Sequence, residues 1–333
     1  MAIIERIFFG EDGLRSGWKV LIFHIAALFG LVLNGILIGL PIVLMVLYFG
    51  LGPESGPVIL VSMCSYFGVF LVAMACGRFL DGRLIDSGLG GPAKRSALEF
   101  VAGGVAGAAL NLGGMVMVWI ATFAVADSAV EVQLTSDFRG LIAIPFWFVG
   151  LIFAAAFEEV FFRGYGFVWS GRMVGNVVGY TGISPRVAQY LGRVPVVFVS
   201  AVFFALLHIG NPGQSGWIPQ ISTFVAGLWL AAAVYRSGAL WFAIGMHWAW
   251  NSFMGLILGV RLSGLNVPSV LETTMTGPDW LTGGAYGLEG SVFGMLAFSL
   301  GIFVILLLPK RPPEQTMMGL LITPNPDADS SQT

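Results

Sequence analysis

The sequence predicts an all-α fold, a polytopic transmembrane helix bundle of about eight spans with a polar site inside the membrane. Three observations predict it. The chain is 57% apolar and only 10% charged, where soluble domains carry about 25% charged residues, and its mean hydropathy is +0.87. Apolar runs of the length a bilayer demands, about 20 residues, recur along the chain. Ionisable side chains stand out at three places inside those runs, and lipid tolerates such groups only where protein or a water-filled cavity surrounds them.

Taken in chain order, residues 1–19 form a charged, amphipathic N-terminus with no cleavable signal, so the first span is expected to act as its own insertion signal. Apolar runs then fall at 20–51, 57–77, 97–126, 141–170, 195–211, 217–235, 239–260 and 291–308. The first run is long enough for two helices broken near Gly39-Leu40-Pro41, but the charge distribution argues for one. Lys and Arg concentrate in the N-terminus, in alternate loops (Arg78, Arg83, Lys94, Arg95; Arg172, Arg186, Arg193; Arg236) and at Lys310 and Arg311. The other loops hold only Arg139 and Arg261 beside several acids. That pattern places both termini in the cytoplasm of a multi-pass cell-membrane protein. Residues 263–290 make the longest external loop, and 309–333, rich in Pro, Asp, Ser and Thr, read as a disordered cytoplasmic tail. The bundle, 20–308, is a single membrane domain without internal repeat or phosphate-binding loop.

Composition also excludes classes of function. A net charge of −2 argues against a nucleic-acid surface. Cys64 and Cys76 lie in one apolar stretch and read as small hydrophobes, not as a disulfide framework or metal cluster.

The polar residues inside the runs carry the chemistry. Glu158 and Glu159 are adjacent carboxylates in the fourth run; Glu159 and Arg163, spaced i,i+4, can pair along one helix face. Glu158 points about 100° away and lacks that partner. Phe204 and His208 end the fifth run, and His247 and Asn251, again i,i+4, project from one face of the seventh. Each has a purely structural reading: an ion pair tying helices together, a satisfied core histidine, an interhelical hydrogen-bond clasp. His24, with no polar neighbour at helical spacing, takes the core reading. Glu158, His208 and His247 lie about 12, 13 and 10 residues from the cytoplasmic ends of their runs, so at about 1.5 Å per residue they reach similar depths and are expected to share one wet cavity.

The ordered set Glu-Glu-x-x-x-Arg, Phe-x-x-x-His and His-x-x-x-Asn on successive apolar helices resembles the CPBP family of intramembrane endopeptidases, the CAAX proteases and bacteriocin-processing proteins of the Abi group. The resemblance covers about 141–260, including the connection Tyr235-Arg236-Ser237-Gly238 into the last motif, and extends loosely to Leu14-Arg15-Ser16-Gly17-Trp18-Lys19 and Leu80-Asp81-Gly82-Arg83. It implies hydrolysis of a peptide bond in a membrane-anchored peptide or protein, in contact with the lipid bilayer. In that chemistry Glu158 acts as general base on a water with the help of His208. His247 and Asn251 stabilise the oxyanion, and Glu159, Arg163 and Phe204 support them. The metal-free version is the one expected; a zinc version would use Glu158, His208 and His247 as ligands. Two other classes compete: a non-catalytic immunity or scaffold protein, and a transporter using the carboxylates as a proton relay.

Overall fold

The structure, a computed structural model, describes residues 9–10, 13–50, 56–64, 66–82, 88–179 and 181–309. Most of the expected N-terminal segment before Gly13 and all of the expected tail beyond Pro309 lie outside the described residues.

The helices are α1 (Ser16–Phe49), α2 (Gly56–Cys64), α3 (Phe67–Phe79), α4 (Ala93–Thr122), α5 (Phe138–Arg163), α6 (Tyr165–Gly179), α7 (Pro185–Leu207), α8 (Trp217–Ser237), α9 (Trp241–Asn251) and α10 (Val292–Leu307). The long first run is one helix with Pro41 inside it. The protein is a polytopic helical bundle. Five helical stretches among the described residues are long and apolar enough to cross a bilayer, and Val194–Leu207 and Val292–Leu307 are shorter apolar helices. The expected seventh span is α9 continued by a π-helical turn, Ser252–Ile257. On α1, Ile25, Phe29, Val32, Ile36 and Leu40 are all exposed, a surface that hydrocarbon would cover.

Two expected spans are interrupted. The second divides into α2 and α3. The fourth bends at Gly164, where an added Cβ would meet the Val160 carbonyl at 2.4 Å. Hydrogen bonds flank the bend on both sides, Gly164 N–H to Val160 O at 3.1 Å and Val168 N–H to Gly164 O at 3.2 Å. Beyond the bend, α6 packs on α1 and α7. There Lys19 forms a buried ion pair with Asp81 and lies over the Trp169 ring, 3.7 Å from its centroid, which ties α1, α6 and the end of α3 together.

The long loop expected outside the membrane, 263–290, is not structureless. Strand β1 (Ala129–Leu134) pairs antiparallel with β2 (Leu271–Thr276), in the register Ala129↔Thr276 to Leu134↔Leu271.

The centre of the bundle is α9. It crosses α4 at backbone contact: a Cβ on Gly103 would lie 2.1 Å from the Phe242 carbonyl oxygen, on Gly107 2.2 Å from that of Met246, and on Gly245 2.1 Å from that of Phe100. Membrane helices associate through small residues of this kind, because lipid supplies no hydrophobic drive between them. Asn111 of α4 adds a buried hydrogen bond from Nδ2 to the Trp250 carbonyl at 3.4 Å. On the opposite side Trp250 meets Trp229 of α8 and Phe298 of α10 at ring separations of 5.7 and 4.3 Å.

Candidate active site

Three helix ends define a cavity of about 370 Å³. The last turns of α5 supply Glu158, the last turn of α7 supplies Phe204 with His208 as the helix C-cap, and α9 contributes His247, Trp250 and Asn251. The structure thus brings Glu158, His208, His247, Asn251 and Phe204 to one cavity. Its remaining wall is largely aromatic and aliphatic, including Tyr66, Trp147, Phe157, Phe162 and Trp229.

Glu159 and Arg163 lie behind this surface, both 0% exposed, with Arg163 Nη1 donating to Glu159 Oε1 at 2.8 Å. Arg163 reaches two further helices. Its Nη2 donates to the Gly227 carbonyl of α8 at 3.3 Å, and its guanidinium stands 4.6 Å above the Phe204 ring. Gly227 also lets α8 lie close to α7: a Cβ there would press on Ala201 at 3.0 Å. The pair is therefore a junction of α5, α7 and α8, and Phe204 is packed between Arg163 and the two histidines, 4.5 Å from the His208 ring and 6.2 Å from that of His247.

Glu159 has a second partner that its spacing from Arg163 does not reveal. His247 Nδ1 lies 2.9 Å from the same Oε1, while Oε2 is buried without a hydrogen-bond partner among the described residues. With Nδ1 donating to this carboxylate, the imidazole ring of His247 is fixed and its Nε2 lies 3.8 Å from Glu158 Oε2, beyond hydrogen-bond range. His208 Nδ1 lies 2.6 Å from the Phe204 carbonyl, which can only accept, so Nδ1 carries the proton and Nε2 is left as the second nitrogen of the ring. The two carboxylates thus occupy different environments. Glu159 is sealed into a hydrogen-bonded triad, whereas Glu158, 25% exposed, faces the cavity.

Among the described residues, no group of three His, Cys, Asp or Glu side chains is placed to hold a metal ion. Glu158, His208 and His247 share the cavity without forming the converging donor set that a zinc ion requires. His24 is a core residue: Nδ1 meets the Val20 carbonyl at 2.8 Å and the ring packs edge-on against Phe23 and Phe161.

Sequence reasoning missed one part of the cavity. Asn211, Ser263, Tyr286 and Glu289, from the connections after α7 and before α10, line it opposite Glu158's helix. Glu289 accepts from Trp250 Nε1 at 3.0 Å and from Ser263 Oγ at 2.5 Å. Burial pushes its carboxyl up from the ordinary value, against the opposing pull of Ser263, His208, His247 and Trp250. Burial, then the Glu289 charge, pushes the Tyr286 phenol up to about 12. In the sequence these residues sit in a polar loop, and the only available hint was an acid two residues before an apolar run.

Residues 140–253, the stretch bearing all three motifs, match a family model described as Rce1-like: Type II CAAX prenyl endopeptidase Rce1-like. No curated protein and no solved structure matches the chain. A bundle of membrane-spanning helices, two carboxylates in unlike environments and two histidines around one cavity accompany that match, and over residues 140–253 the chain is similar to the Rce1-like type II CAAX prenyl endopeptidases, a family of membrane proteases.

Proposed function

We propose that the chain hydrolyses a peptide bond of a membrane-anchored peptide or protein inside this cavity, using Glu158 to activate water without a metal ion. The observation that carries the reading is the division of labour between the two carboxylates. Glu159 is spent on Arg163 and His247, so Glu158 is the one with room for a water and a substrate.

In this reaction Glu158 takes a proton from water held between it and His208 Nε2, and the hydroxide adds to the scissile carbonyl carbon. As an imidazolium, His247 donates from Nδ1 to Glu159 and from Nε2 to the new oxyanion, and the Asn251 side-chain amide adds a second donor. The tetrahedral adduct collapses as the proton on Glu158 passes to the departing nitrogen. The C–N bond breaks to give a carboxylic acid and an amine. Glu159, Arg163 and Phe204 are positioning residues, holding His247 and His208 at fixed angles. Both termini face the cytoplasm in this reading, as the basic loops require.

The test is cleavage of a lipid-anchored, internally quenched peptide by the purified protein in vesicles. Wild type cleaves it; Glu158→Gln, correctly folded, loses activity by a factor of about 10²–10⁴. Normal turnover by that variant would overturn the assignment.

A further inference from the structure

Several polar groups that line the cavity already have partners within it or behind it. Glu289 accepts from Trp250 and Ser263, Thr223 donates from Oγ1 to the Pro219 carbonyl at 2.8 Å, and the Tyr286 hydroxyl lies 3.5 Å from that same Oγ1. The indole nitrogens of Trp147 and Trp229 have no partner among the described residues, but they are buried within the wall. Tyr66 is under neither constraint. It lines the cavity together with Glu158, His208, His247 and Asn251, and its hydroxyl makes no hydrogen bond among the described residues.

Two features hold the ring in place. Tyr66 stands between α2 and α3, where its N–H donates to the Met63 carbonyl at 3.1 Å and its carbonyl accepts from Val69 N–H at 3.3 Å. Its ring stacks on Phe157 of α5, with 4.8 Å between centroids and 17° between the planes. Phe157 is the chain neighbour of Glu158, and the Tyr66 hydroxyl is within electrostatic reach of the Glu158 carboxylate. The stack needs only a ring. A phenylalanine would make it equally well and would bring no polar group into an apolar run. The hydroxyl is therefore surplus to packing.

The water that Glu158 activates sits one hydrogen bond from its carboxylate, and the carbonyl carbon under attack lies about 3–3.5 Å beyond that water. A donor on the wall beside Glu158 is thus beside the reacting group. The two donors already assigned there, His247 and Asn251, both project from α9 and approach the carbonyl oxygen from one helix. A donor on another element holds that oxygen from a second direction.

We propose that Tyr66 is a further catalytic residue, whose hydroxyl donates a hydrogen bond to the oxygen of the scissile carbonyl as negative charge develops on it. The phenol keeps its proton through addition and collapse, so the transfers among water, Glu158 and the departing nitrogen stay as given above. The inference rests on the peptidase reading and adds a residue to its site.

The experiment compares wild type, Tyr66→Phe and Tyr66→Leu, each full-length in vesicles with the lipid-anchored, internally quenched peptide. Tyr66→Phe keeps the stack on Phe157 and removes only the hydroxyl. It should lower kcat by a factor of about 10² and leave KM within about threefold of wild type, the pattern of a bond made only in the transition state. Two non-cleavable analogues of the same peptide read that bond without turnover. One carries a tetrahedral, anionic phosphinate in place of the scissile amide; the other is a reduced amide with no oxygen at that position. Tyr66→Phe should bind the phosphinate at least about tenfold more weakly than wild type and the reduced amide within about threefold of it. A ring that serves packing alone would leave Tyr66→Phe at wild-type values in both assays, with losses confined to Tyr66→Leu, and that outcome would overturn the proposal. So would a raised KM at unchanged kcat, or an equal weakening of both analogues, which would make Tyr66 a ground-state contact. Failure of wild type to cleave the peptide faster than Glu158→Gln would overturn the peptidase reading instead, and this proposal with it.

Discussion

The buried pair Glu159–Arg163 permits a worked prediction, because Oε1 of Glu159 accepts from both Arg163 and His247 while its Oε2 has no hydrogen-bond partner among the described residues. Glu159→Gln can keep its oxygen on both donors and change little but the charge. The Arg163 guanidinium, 0% exposed, is then left in the protein interior without its counter-ion. Breaking one side of a buried pair costs about 3–5 kcal/mol, and about 3 kcal/mol is roughly two orders of magnitude in the folding constant. Arg163→Met makes the reciprocal change and also removes the bond to Gly227 and the contact over Phe204. The double variant Glu159→Gln/Arg163→Met leaves no unpaired charge and retains an oxygen for His247 Nδ1. Its loss should fall below the sum of the single losses by about 2–3 kcal/mol. Unfolding in mixed micelles titrated with a denaturing detergent, followed by tryptophan emission, measures the cycle. Losses that add to within about 0.5 kcal/mol would refute the coupling and with it the junction described at α5, α7 and α8.

Three further outcomes follow from the same geometry. Phe204→Ala removes a nearly buried ring that separates Arg163 from the histidines and should cost about 3–5 kcal/mol in the same unfolding assay; a loss under about 1 kcal/mol would show that the ring is not packed as described. Gly107→Val on α4 drives side-chain atoms into the Met246 carbonyl, so it should displace α9 and reduce both stability and peptide cleavage, although no part of Gly107 lines the cavity; unchanged cleavage would contradict the close crossing. Glu289 has a folded-state pKa raised by burial, so the stability it contributes is present in full at acid pH and is lost as the pH rises through that raised value. Glu289→Gln should therefore gain stability relative to wild type as the pH is raised from about 4 to 8, and parallel unfolding midpoints across that range would count against it.

How far the sequence disclosed the fold depended on whether an interaction was local. The Glu159–Arg163 pair follows from a four-residue spacing, and it forms at 2.8 Å. The gathering of Glu158, His208 and His247 was legible from the depth of each along an apolar run, and Asn251 followed from its four-residue spacing from His247. The second bond of Glu159, to His247 on another helix 88 residues away, was not, because no helical period links them. The bend at Gly164 was hidden by the unbroken hydropathy on either side of it. The β1–β2 pairing had a faint signal in the alternation of Val130, Val132 and Leu134, but its partner Leu271–Thr276 sits 137 residues further on in a loop. Glu289 belongs to the same category, a residue whose role is set by where the loop folds back and not by its neighbours.

The close crossing of α4 and α9 bears on how portable the chemistry is. The stretch similar to known peptidases, 140–253, contains every motif residue yet excludes α4, whose glycines form the seat for the helix bearing His247 and Asn251. A transplant of that stretch into another membrane scaffold would carry the reactive groups but would expose the carbonyls of Phe242 and Met246 to whatever helix replaced α4. A host helix with ordinary side chains at those points could not come within the distance at which α9 now rests. A minimal transferable unit must therefore begin no later than Ala93, and surveys for inactivating substitutions should count Gly103 and Gly107 among the positions to which turnover is sensitive.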